Sequence, residues 1–558
     1  MSRPAMALPL LLVVTAIAGS CSRATEGGSR DLSYADASIS ELTNLGFLGA
    51  GAHGATRAIQ VRDPERPDQL LYPGGVVIRE LQSGSPLAAI GIESGDVLIR
   101  VLEDYLPAKE DPVPDLLKRI EAAYTAGKTS IALGYLRDGA SRSATLILDP
   151  ERLPPLNQGD LAHNARFSLA ATKGLEFLRG LQQEDGSLPA PHATPNSTLA
   201  VTAIGGLAFL SGQMLPSPDA WTERASKALE FVKSSVTPDG VDHLGASFAT
   251  LFLAEAIHKN QDISAMAPLG QAVGKIIGGQ QEDGGWRLGS SDSELGYSER
   301  TLATHFCLLA LGAAERAGLQ LDNTIFEKAC AYLKKHTNNG SVGFVPEPGF
   351  DRRSEAGRLT GILAALRCAS CDFTDLYMQK LLKYSSGYSL DLPYAPLPEW
   401  ISLFSEALLA RQMGFLQWNL FTQQQQVLLL SLQKLDGSFT ALPKSKRVKL
   451  PFFDDCDGPA WRTAVYTLVF LLPQEGLPLL TGSASATPGR RRDSDGKLSE
   501  SPAAEAGAAP PGAEAAQMFQ INSVEEAIEM LKKMGFDDDS PEMKQIKEIQ
   551  EKMGKKDK

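Results

Sequence analysis

The stretch LQQEDGSL, residues 181–188, decides the fold, because its pattern returns along the chain at a spacing of about fifty residues. The related turns are Asp239-Gly240, Asp283-Gly284, Asn339-Gly340, Ser386-Gly387 and Asp436-Gly437. Each turn lies between two segments with the apolar period of a helix, and its Gly tolerates the positive φ that ends a helix. The sequence therefore predicts helical hairpins in series.

One hairpin of this kind cannot bury its apolar stripe alone, whereas several in succession can close on one another. The second helix of each hairpin would then form an inner ring and the first an outer ring. This arrangement predicts an all-α (α/α)6 toroid of six hairpins over residues 160–482.

Two further segments, GGQQEDGGW (278–286) and SLQKLDGSF (431–439), repeat the pattern, and inner-helix segments such as TLATHFCLLAL (301–311) follow. These repeats resemble those of squalene and terpenoid cyclases and protein prenyltransferases. The resemblance covers roughly the central three fifths of the chain and implies a toroid. It does not determine an activity, because toroids of this type serve many functions.

A separate module, residues 40–150, resembles a PDZ domain of the kind found in bacterial envelope proteases. The resemblance rests on GFLGA (46–50) and GVVIRELQSGSPLAAIGIESGDVLIRV (75–101), followed by a helix at 115–126 and strands at 130–136 and 143–148. It implies that an extended peptide adds a strand to the module. The implied peptide-binding residues are Gly46, Phe47, Leu48 and Gly49 in the carboxylate loop and Leu116, Leu117 and Ile120 on the helix. Alternatively, Phe47 and Leu48 are core residues.

The N-terminus resembles a bacterial lipoprotein signal, with Arg3 before an apolar run and small residues before Cys21. Lipidation of Cys21 would anchor the protein in the cell envelope, at the outer membrane or periplasmic face. A cleaved signal peptide, which would make the protein secreted, or an uncleaved anchor are the alternatives. On this basis residues 1–21 are a signal peptide and 22–39 a linker.

Composition limits the partners. The net charge of -12 argues against a nucleic-acid partner. Five further cysteines, an odd number, do not imply a complete disulfide framework; they are Cys307, Cys330, Cys368, Cys371 and Cys456. Cys368 and Cys371 form a single CxxC, for which a core role at a helix end is favoured over redox or metal chemistry.

Polar residues at the start of each inner helix are expected to converge on one mouth of the toroid. They are His192, Asn196, Asp242, His243, Tyr297, Glu299, Arg300, Asp351, Arg352, Arg353, Glu355, Glu399, Trp400, Asp454, Asp455, Asp457, Trp461 and Arg462. A solvated rim of helix caps is one interpretation, favoured because caps are commonly acidic, and a catalytic cluster is the other.

The candidate catalytic residues are Asp454, Asp455 and Asp457, since class II terpene cyclases use an Asp-rich run to protonate an alkene or epoxide. The order of residues departs from that motif, because Thr463-Ala464 comes late. Aromatic residues make up only 7% of the chain, which predicts a barrel poor in the aromatic lining that stabilises carbocations. We predict no metal site, because a zinc set built on Asp455, Cys456 or Asp457 lacks a nearby His in the sequence. No cofactor is predicted.

After the toroid, residues 483–517 are small, polar and Pro-rich, which predicts a disordered tether. Residues 518–558 then carry two helical patterns that either dock on the body or recruit a partner. The multidomain chain is therefore predicted to bind a peptide or protein through the PDZ module, with the toroid as a scaffold. An enzyme that acts on an isoprenoid or other lipid, or on a glycan, is the alternative.

Overall fold

The computed structural model describes residues 42–54, 61–62, 70–71, 75–107, 112–156, 164–236, 241–287, 297–338, 341–342, 353–371, 373, 375–386, 398–442, 450–482 and 491–498. The chain divides into two compact units. Unit 1 contains residues 1–170 and 425–445, and unit 2 contains residues 171–424 and 446–558. The signal-type N-terminus with Cys21 and the C-terminal 518–558 segment lie outside the described residues.

Unit 1 is built around an antiparallel sheet. Its strands are β1 (Thr43–Asn44), β2 (Ala50–Gly54), β5 (Val76–Leu81), β6 (Val97–Val101), β7 (Asp104–Tyr105), β8 (Ser130–Arg137) and β9 (Ala140–Ile147). The order is β1-β2-β5-β6-β8-β9, with β7 paired to β6, and β3 (Val61–Arg62) and β4 (Leu70–Leu71) form a separate hairpin. Two helices, α1 (Pro86–Ala89) and α2 (Val113–Thr125), complete this part of the unit.

Local sequence explains several of these elements. Ser85 caps α1 by accepting a hydrogen bond from the amide of Ala88 at 3.2 Å. Asp138 and Gly139 both have positive φ, +53° and +75°, as a two-residue turn between β8 and β9 requires. The helix, the turns and the strands predicted from residues 75–148 are therefore found close to their expected positions.

The core of unit 1 lies between α2 and the sheet. Leu116, Leu117 and Ile120 on α2 are buried against β2, β6 and β8. Val427, from the second part of the unit, packs on the edge of the same core. Residues 425–445 therefore belong structurally to the N-terminal module, although they lie far along the chain.

Unit 2 is helical, and the residue boundaries between the two units fall within α3 (Ala165–Leu181) and α13 (Phe415–Ser431). Its inner helices are α4 (Pro195–Gly212), α6 (His243–Asn260), α8 (Tyr297–Arg316), α10 (Arg353–Cys368), α12 (Glu399–Met413) and α15 (Pro459–Leu471). The others are α5 (Pro218–Ser235), α7 (Met266–Gly278), α9 (Asn323–Lys335), α11 (Leu376–Ser386), α14 (Pro451–Cys456) and α16 (Pro478–Thr481). Between α9 and α10, β10 (Thr337–Asn338) pairs with β11 (Ser341–Val342).

The six inner helices form a closed ring. Each packs against the next in the order α4, α6, α8, α10, α12 and α15, and α15 packs against α4. The helices α5, α7, α9 and α11 each pack on the inner helix that precedes them. Unit 2 is therefore an α/α toroid, as the repeat predicts.

Burial separates the two classes of helix. In α6, the residues from Leu244 to Ile257 are all buried, because this helix has neighbours on every side. In α5, only a stripe is buried: Trp221, Ala225, Ala228, Leu229 and Val232. That stripe has the helical period of an amphipathic surface helix.

The Asp-Gly turns join neighbouring hairpins through hydrogen bonds. Gln280 follows α7, and its Nε2 donates to the carbonyl of Gly284 in the turn and to that of Ile325 on α9, both at 3.0 Å. Gln182 makes the corresponding bonds to Gly186 and Arg224 at 3.1 and 3.0 Å. Each turn thus links one outer helix to the next.

One end of the ring is crossed by residues 472–482, which we call the closing segment. Arg316 Nη1 donates to the carbonyl of Leu479 at 3.0 Å, and Gln412 Nε2 donates to that of Leu480 at 2.7 Å. The amide of Leu480 donates to Glu255 Oε1 at 2.7 Å. Side chains near the C-terminal ends of three inner helices therefore satisfy the polar backbone of this buried segment.

The prediction of a disordered tether over 483–517 is wrong for residues 491–498, which we call the C-terminal strap. The strap repeats the Asp-Gly turn, since Asp493 N donates to Lys497 O and Gly496 N to Asp493 O, both at 3.0 Å. Arg492 is fully buried in unit 2. Composition did not reveal the strap, because its order depends on contacts with helices that precede it by more than a hundred residues.

Among the described residues, no helix is both long enough and apolar enough to span a membrane.

Candidate functional site

Six aromatic side chains gather inside the ring of unit 2, and we call them the aromatic cluster. They are Phe248, Phe306, Trp400, Phe452, Phe453 and Trp461. The rings of Phe248 on α6 and Trp461 on α15 are 5.0 Å apart, although α4 lies between these two helices in the ring. This contact therefore reaches across the inside of the toroid.

The short helix α14 supplies the centre of the cluster. The ring of Phe453 lies 5.4 Å from that of Phe306 and 5.4 Å from that of Trp400. It also lies 6.5 Å from that of Phe248. The prediction of an aromatic-poor barrel is wrong for this reason: the chain has few aromatic residues, but the fold concentrates them at one place.

Two indole groups of the cluster lack hydrogen-bond partners. Trp400 and Trp461 are fully buried, and their rings are 5.1 Å apart at an interplanar angle of 78°. No described residue accepts a hydrogen bond from either Nε1. A buried donor without an acceptor is destabilising, and most buried indoles have a partner. Outside the cluster, the indole of Trp286 donates to the carbonyl of Ile276 at 2.6 Å, whereas the buried indole of Trp418 also has no acceptor among the described residues.

The three predicted catalytic aspartates have separate environments. Asp457 is buried and accepts a 2.6 Å hydrogen bond from Arg462 Nε. Asp454 Oδ2 accepts one from the amide of Leu450 at 3.0 Å. Asp455 is partly exposed, with its Oδ1 3.4 Å from Nδ1 of the exposed His192. The run therefore supplies an ion pair, a helix contact and a surface contact, not one acidic centre.

His192 is the histidine that the sequence did not place near this run, because it precedes Asp455 by more than 260 residues. Cys456, between the aspartates, is buried, and burial raises the pKa of its thiol well above the usual range. Within the described residues, no group of three or more His, Cys, Asp or Glu side chains is placed to hold a metal ion.

The other residues of the predicted mouth are of three kinds: helix caps, side chains in hydrogen bonds or ion pairs, and residues outside the described part of the chain. Asp242 caps α6 by accepting hydrogen bonds from the amides of Leu244 and Gly245, both at 2.9 Å. Asn196 Oδ1 accepts from the amide of Asp242 at 3.3 Å, and Arg300 pairs with Asp283 at 2.7 Å. These residues fit the interpretation of a rim of helix caps. The side chains of Tyr297, Glu299, Asp351, Arg352, Arg353 and Glu355 lie outside the described part.

Glu255 and Glu406 are buried acidic groups that the sequence analysis did not single out. Burial raises the pKa of Glu255 to about 8 and raises that of Glu406 well above its usual range. Burial lowers the pKa of His305 to about 3, and this ring stacks on Phe306 at 4.2 Å. The carboxyl of Glu399 lies 3.5 Å from the hydroxyl of Tyr466. Acidic residues inside fully apolar helical segments are the signal that could have revealed Glu255 and Glu406.

The predicted peptide site of unit 1 is turned toward its own chain. In the carboxylate loop, the amides of Leu48 and Gly49 donate to Leu45 O and Gly46 O at 3.2 and 2.9 Å. Part of the edge of β2 is already paired with β1, since Asn44 lies opposite Gly51. These backbone donors are therefore used within the loop.

Side chains cover the same loop. Arg166 lies over the ring of Phe47 at 5.0 Å and makes a buried ion pair with Glu121 at 2.7 Å. A β-carbon on Gly46 would lie 2.8 Å from the carbonyl oxygen of Leu430, so the last repeat contacts the loop closely. Leu116, Leu117 and Ile120 are core residues. The alternative of a core role thus describes Leu48 and these helix residues, and Phe47 packs against that core.

No protein-family model and no curated protein sequence matches this chain. Two solved structures with some likeness are a type II terpene cyclase and a glycoside hydrolase. A variant of the cyclase MstE from Scytonema, in complex with geranylgeranyl dihydroxybenzoate, is 14% identical, with a TM-score of 0.36, over 56% of this chain and 97% of that chain. A family 76 glycoside hydrolase from a bovine Bacteroides thetaiotaomicron strain is 8% identical, with a TM-score of 0.39, over 62% of this chain and 84% of that chain. Likeness at this level carries no conclusion about activity.

Proposed function

We propose that the toroid is a binding protein for a mainly apolar small molecule, of the isoprenoid or lipid class, that carries a hydrogen-bond acceptor. The observation that supports this most directly is the pair of buried, unpartnered indole N–H groups of Trp400 and Trp461 in the aromatic cluster. Aromatic and aliphatic side chains bind apolar ligands, and a few placed polar groups fix their orientation.

The two donors belong to the same aromatic cluster. Their rings contact each other, and Trp461 also contacts Phe248 at 5.0 Å. An acceptor such as a carbonyl, hydroxyl or phosphate oxygen that reaches this place would satisfy donors that otherwise destabilise the fold. The rest of the ligand would then contact the aromatic faces.

Binding is favoured over cyclisation because the acidic run lacks a free buried acid. Asp457 is paired with Arg462 in a 2.6 Å ion pair, so its carboxyl group is already engaged within the protein. Asp455 contacts His192 and is partly exposed to water. Hydrolysis of a glycan, the other alternative, would need two facing carboxyl groups at a suitable separation.

Localisation and the N-terminal module complete the proposal. Lipidation of Cys21 would hold the protein at the cell envelope, which supports access to membrane lipids. The N-terminal unit would be a PDZ-type module. Its loop contacts support a role as a clamp on the last repeat, and capture of an external peptide would have to compete with residues 430–435.

The experiment is native mass spectrometry of the full-length protein from its own envelope, followed by organic extraction and identification of the retained mass. One apolar molecule per chain is expected in the wild type. Trp400→Phe and Trp461→Phe keep an aromatic ring and remove only the N–H donor, so each should reduce retention roughly tenfold. Trp286→Phe is the matched control, because its N–H already has a partner outside the cluster.

The outcomes separate the alternatives. A retained molecule whose occupancy falls in the two cluster variants, but not in Trp286→Phe, supports the proposal. Conversion of an added isoprenoid by the wild type, lost in an Asp455→Asn and Asp457→Asn double variant, would establish the enzyme instead. A chain that carries no small molecule, with both indoles bonded only to water, would overturn the binding proposal.

A further inference from the structure

Unit 2 contains a pocket that surrounds one arginine side chain of the strap. The guanidinium of Arg492 lies 3.7 Å from the centroid of the Phe326 ring on α9 and donates to both carboxylate oxygens of Glu315 on α8 at 2.7 Å. It also donates to Asn323 Oδ1 and to the carbonyl of Ala369, both at 2.8 Å. Four oxygen atoms and one aromatic face therefore contact a planar cation, which selects Arg over Lys at this position.

Side chains of unit 2 also hold two residues that follow Arg492 in the strap. Lys334 on α9 donates from Nζ to Ser494 Oγ at 2.7 Å and to Asp495 Oδ1 at 2.5 Å. The hydroxyl of Ser494 is also hydrogen-bonded to Asp375 Oδ2 at 2.7 Å. A hydroxyl and a carboxylate are thus selected at these two positions, since the ammonium of Lys334 favours an acidic partner.

The turn of the strap packs on α9 as a repeat turn does. A β-carbon on Gly496, which has φ of +78°, would lie 2.8 Å from the carbonyl oxygen of Phe326. Gly284 of the repeat approaches the carbonyl oxygen of Lys328, also on α9, in the same way. Asn323 Nδ2 completes the contact by donating to Gly496 O at 3.0 Å. The position of Gly496 therefore excludes any residue with a side chain.

The strap is paired through its backbone as well. The amide of Arg492 donates to Ser370 O at 3.0 Å, and Arg492 forms a parallel bridge with Cys371 after the end of α10. Arg492 also bridges Leu498 in the antiparallel sense, so the strap is folded back on itself. An extended residue that pairs with a free chain end in this way is a form of β-strand addition.

We propose that this pocket is a peptide-recognition site for segments of the type Arg-Asp-Ser-Asp-Gly, and that the C-terminal strap is its tethered ligand. The walls of the pocket come from α8, α9, the end of α10 and the residue before α11. The ring of inner helices closes through α15 and α4 without the strap. The strap can therefore leave and return as a local opening.

The tether determines how the site responds to a free peptide. Only the eight residues 483–490 lie between the closing segment and the strap. A ligand joined to its site by so short a segment has a local concentration on the order of millimolar. A free peptide of the same sequence should therefore bind weakly to the wild type and more tightly to a chain whose own strap has lost its arginine.

The test measures binding of a fluorescent peptide, residues 489–499 (GRRRDSDGKLS), to the full-length chain by fluorescence anisotropy. The peptide should bind the Arg492→Ala chain at least roughly tenfold more tightly than the wild type. An Arg492→Lys peptide has the same net charge and should bind the Arg492→Ala chain roughly tenfold more weakly than the unchanged peptide.

Two further variants locate the bound peptide in the pocket. Lys334→Ala, combined with Arg492→Ala, should weaken peptide binding roughly tenfold, because it removes the contacts with Ser494 and Asp495. Lys335→Ala is the matched control, since it removes the same charge from the neighbouring exposed position and should leave the Kd unchanged.

Hydrogen exchange in the wild type tests the same site without any variant. An excess of the peptide should displace the strap and speed exchange at the amide of Arg492 several-fold, whereas the Arg492→Lys peptide should not. The amide of Ala246 on α6, which donates to Asp242 O at 2.9 Å, is the internal control and should keep its rate.

Three results would overturn the proposal. Equal affinities of the two peptides for the Arg492→Ala chain would show only attraction to a protein with a net charge of -12. A peptide that binds neither chain would show that the pocket does not recognise a separate segment. Exchange at Arg492 that stays constant as the peptide concentration rises would show that the strap is a fixed part of the fold.

Discussion

Arg492 and Glu315 form a bidentate ion pair in the interior of unit 2. Arg492 Nη1 donates to Glu315 Oε2 and Nη2 to Oε1, both at 2.7 Å, although the two residues are 177 positions apart. Nη1 also donates to the carbonyl of Ala369 at 2.8 Å, and Nε to Asn323 Oδ1 at 2.8 Å. Three helical segments are therefore joined by one guanidinium.

Arg492→Ala is expected to destabilise unit 2 by about 3–5 kcal/mol, because it leaves the carboxylate of Glu315 buried without its partner. Arg492→Lys should fall between the wild type and the Ala variant, since an ammonium cannot reproduce the two parallel hydrogen bonds. Urea denaturation measures both. Lys497→Ala, at an exposed position in the same strap, is the control and should change stability little. An Arg492→Ala chain as stable as the wild type would show that the buried ion pair with Glu315 contributes nothing to the fold.

The Asp-Gly turns give a second prediction. Gly284 has φ of +95°, and a β-carbon there would lie 2.1 Å from the carbonyl oxygen of Lys328 on α9. Gly318 has a similar φ of +102°, but no described atom would lie within 4 Å of its β-carbon. Gly318→Ala should therefore lower the free energy of unfolding by the backbone strain alone, about 1–2 kcal/mol. Gly284→Ala should lower the free energy of unfolding clearly more than Gly318→Ala does, because the turn must also move away from α9.

Thermal denaturation of the two variants measures this difference. It tests whether the glycine of the repeat is needed for its backbone conformation alone or also for the close approach of neighbouring hairpins. Equal losses of stability in the two variants would contradict a role in close approach.

The repeat made the toroid predictable from the sequence, because its turns and helices are determined by residues that are close together in the chain. A turn such as Gln183–Gly186 is determined by a few adjacent residues, and the burial of a helix such as α6 follows from its continuous apolar sequence. The interior of the toroid was less predictable. Phe453 and Trp400 come from different hairpins, and no local sequence pattern indicates that their rings are in contact.

Contacts between residues that are far apart in the sequence explain the other features that were not predicted. The strap is polar and lies between segments of small residues, so its composition resembles that of a disordered chain until Glu315 is known to face Arg492. The loop predicted from the PDZ resemblance, residues 46–49, lies directly before β2, but the sequence could not show that residues 430–435 contact this part of unit 1.

The pH dependence of stability should reveal Glu255. Its pKa is about 8 in the folded chain and 4.5 in the unfolded chain, with burial as the main cause. The unfolded state therefore releases this proton first, so the stabilisation present below pH 4.5 is lost as the pH rises to about 8, at about 1.4 kcal/mol per pH unit. Glu255→Gln should remove this dependence and make the protein more stable than the wild type at pH 8.

Urea denaturation between pH 5 and pH 8 measures the difference between Glu255→Gln and the wild type, in a range set by the pKa of about 8. Glu406 has a pKa raised in the same direction and remains in both chains, so the comparison isolates Glu255. Glu475→Gln, which alters an exposed partner of Arg411, is the control for the loss of a surface charge. A difference that does not grow with pH would show that Glu255 is not held in its neutral form.

Asn44 on β1, two residues before the predicted carboxylate loop, joins the sheet of unit 1 to the last repeat, and its removal should loosen that contact. Its Nδ2 donates to the carbonyls of Ser431 at 2.8 Å and Gln433 at 3.0 Å, and all these atoms are buried. Asn44→Ala leaves two buried acceptors without a donor, so a loss of about 2–4 kcal/mol is expected. Hydrogen exchange should increase at Thr440, whose amide donates to Leu432 O in the same turn at 2.9 Å. Ser143→Ala, on the exposed part of β9, should leave exchange at Thr440 unchanged.

If Asn44→Ala also enabled binding of a peptide with an apolar C-terminus, residues 430–435 would be an internal competitor for the peptide site. Faster exchange without peptide binding would instead identify the module as a structural clamp.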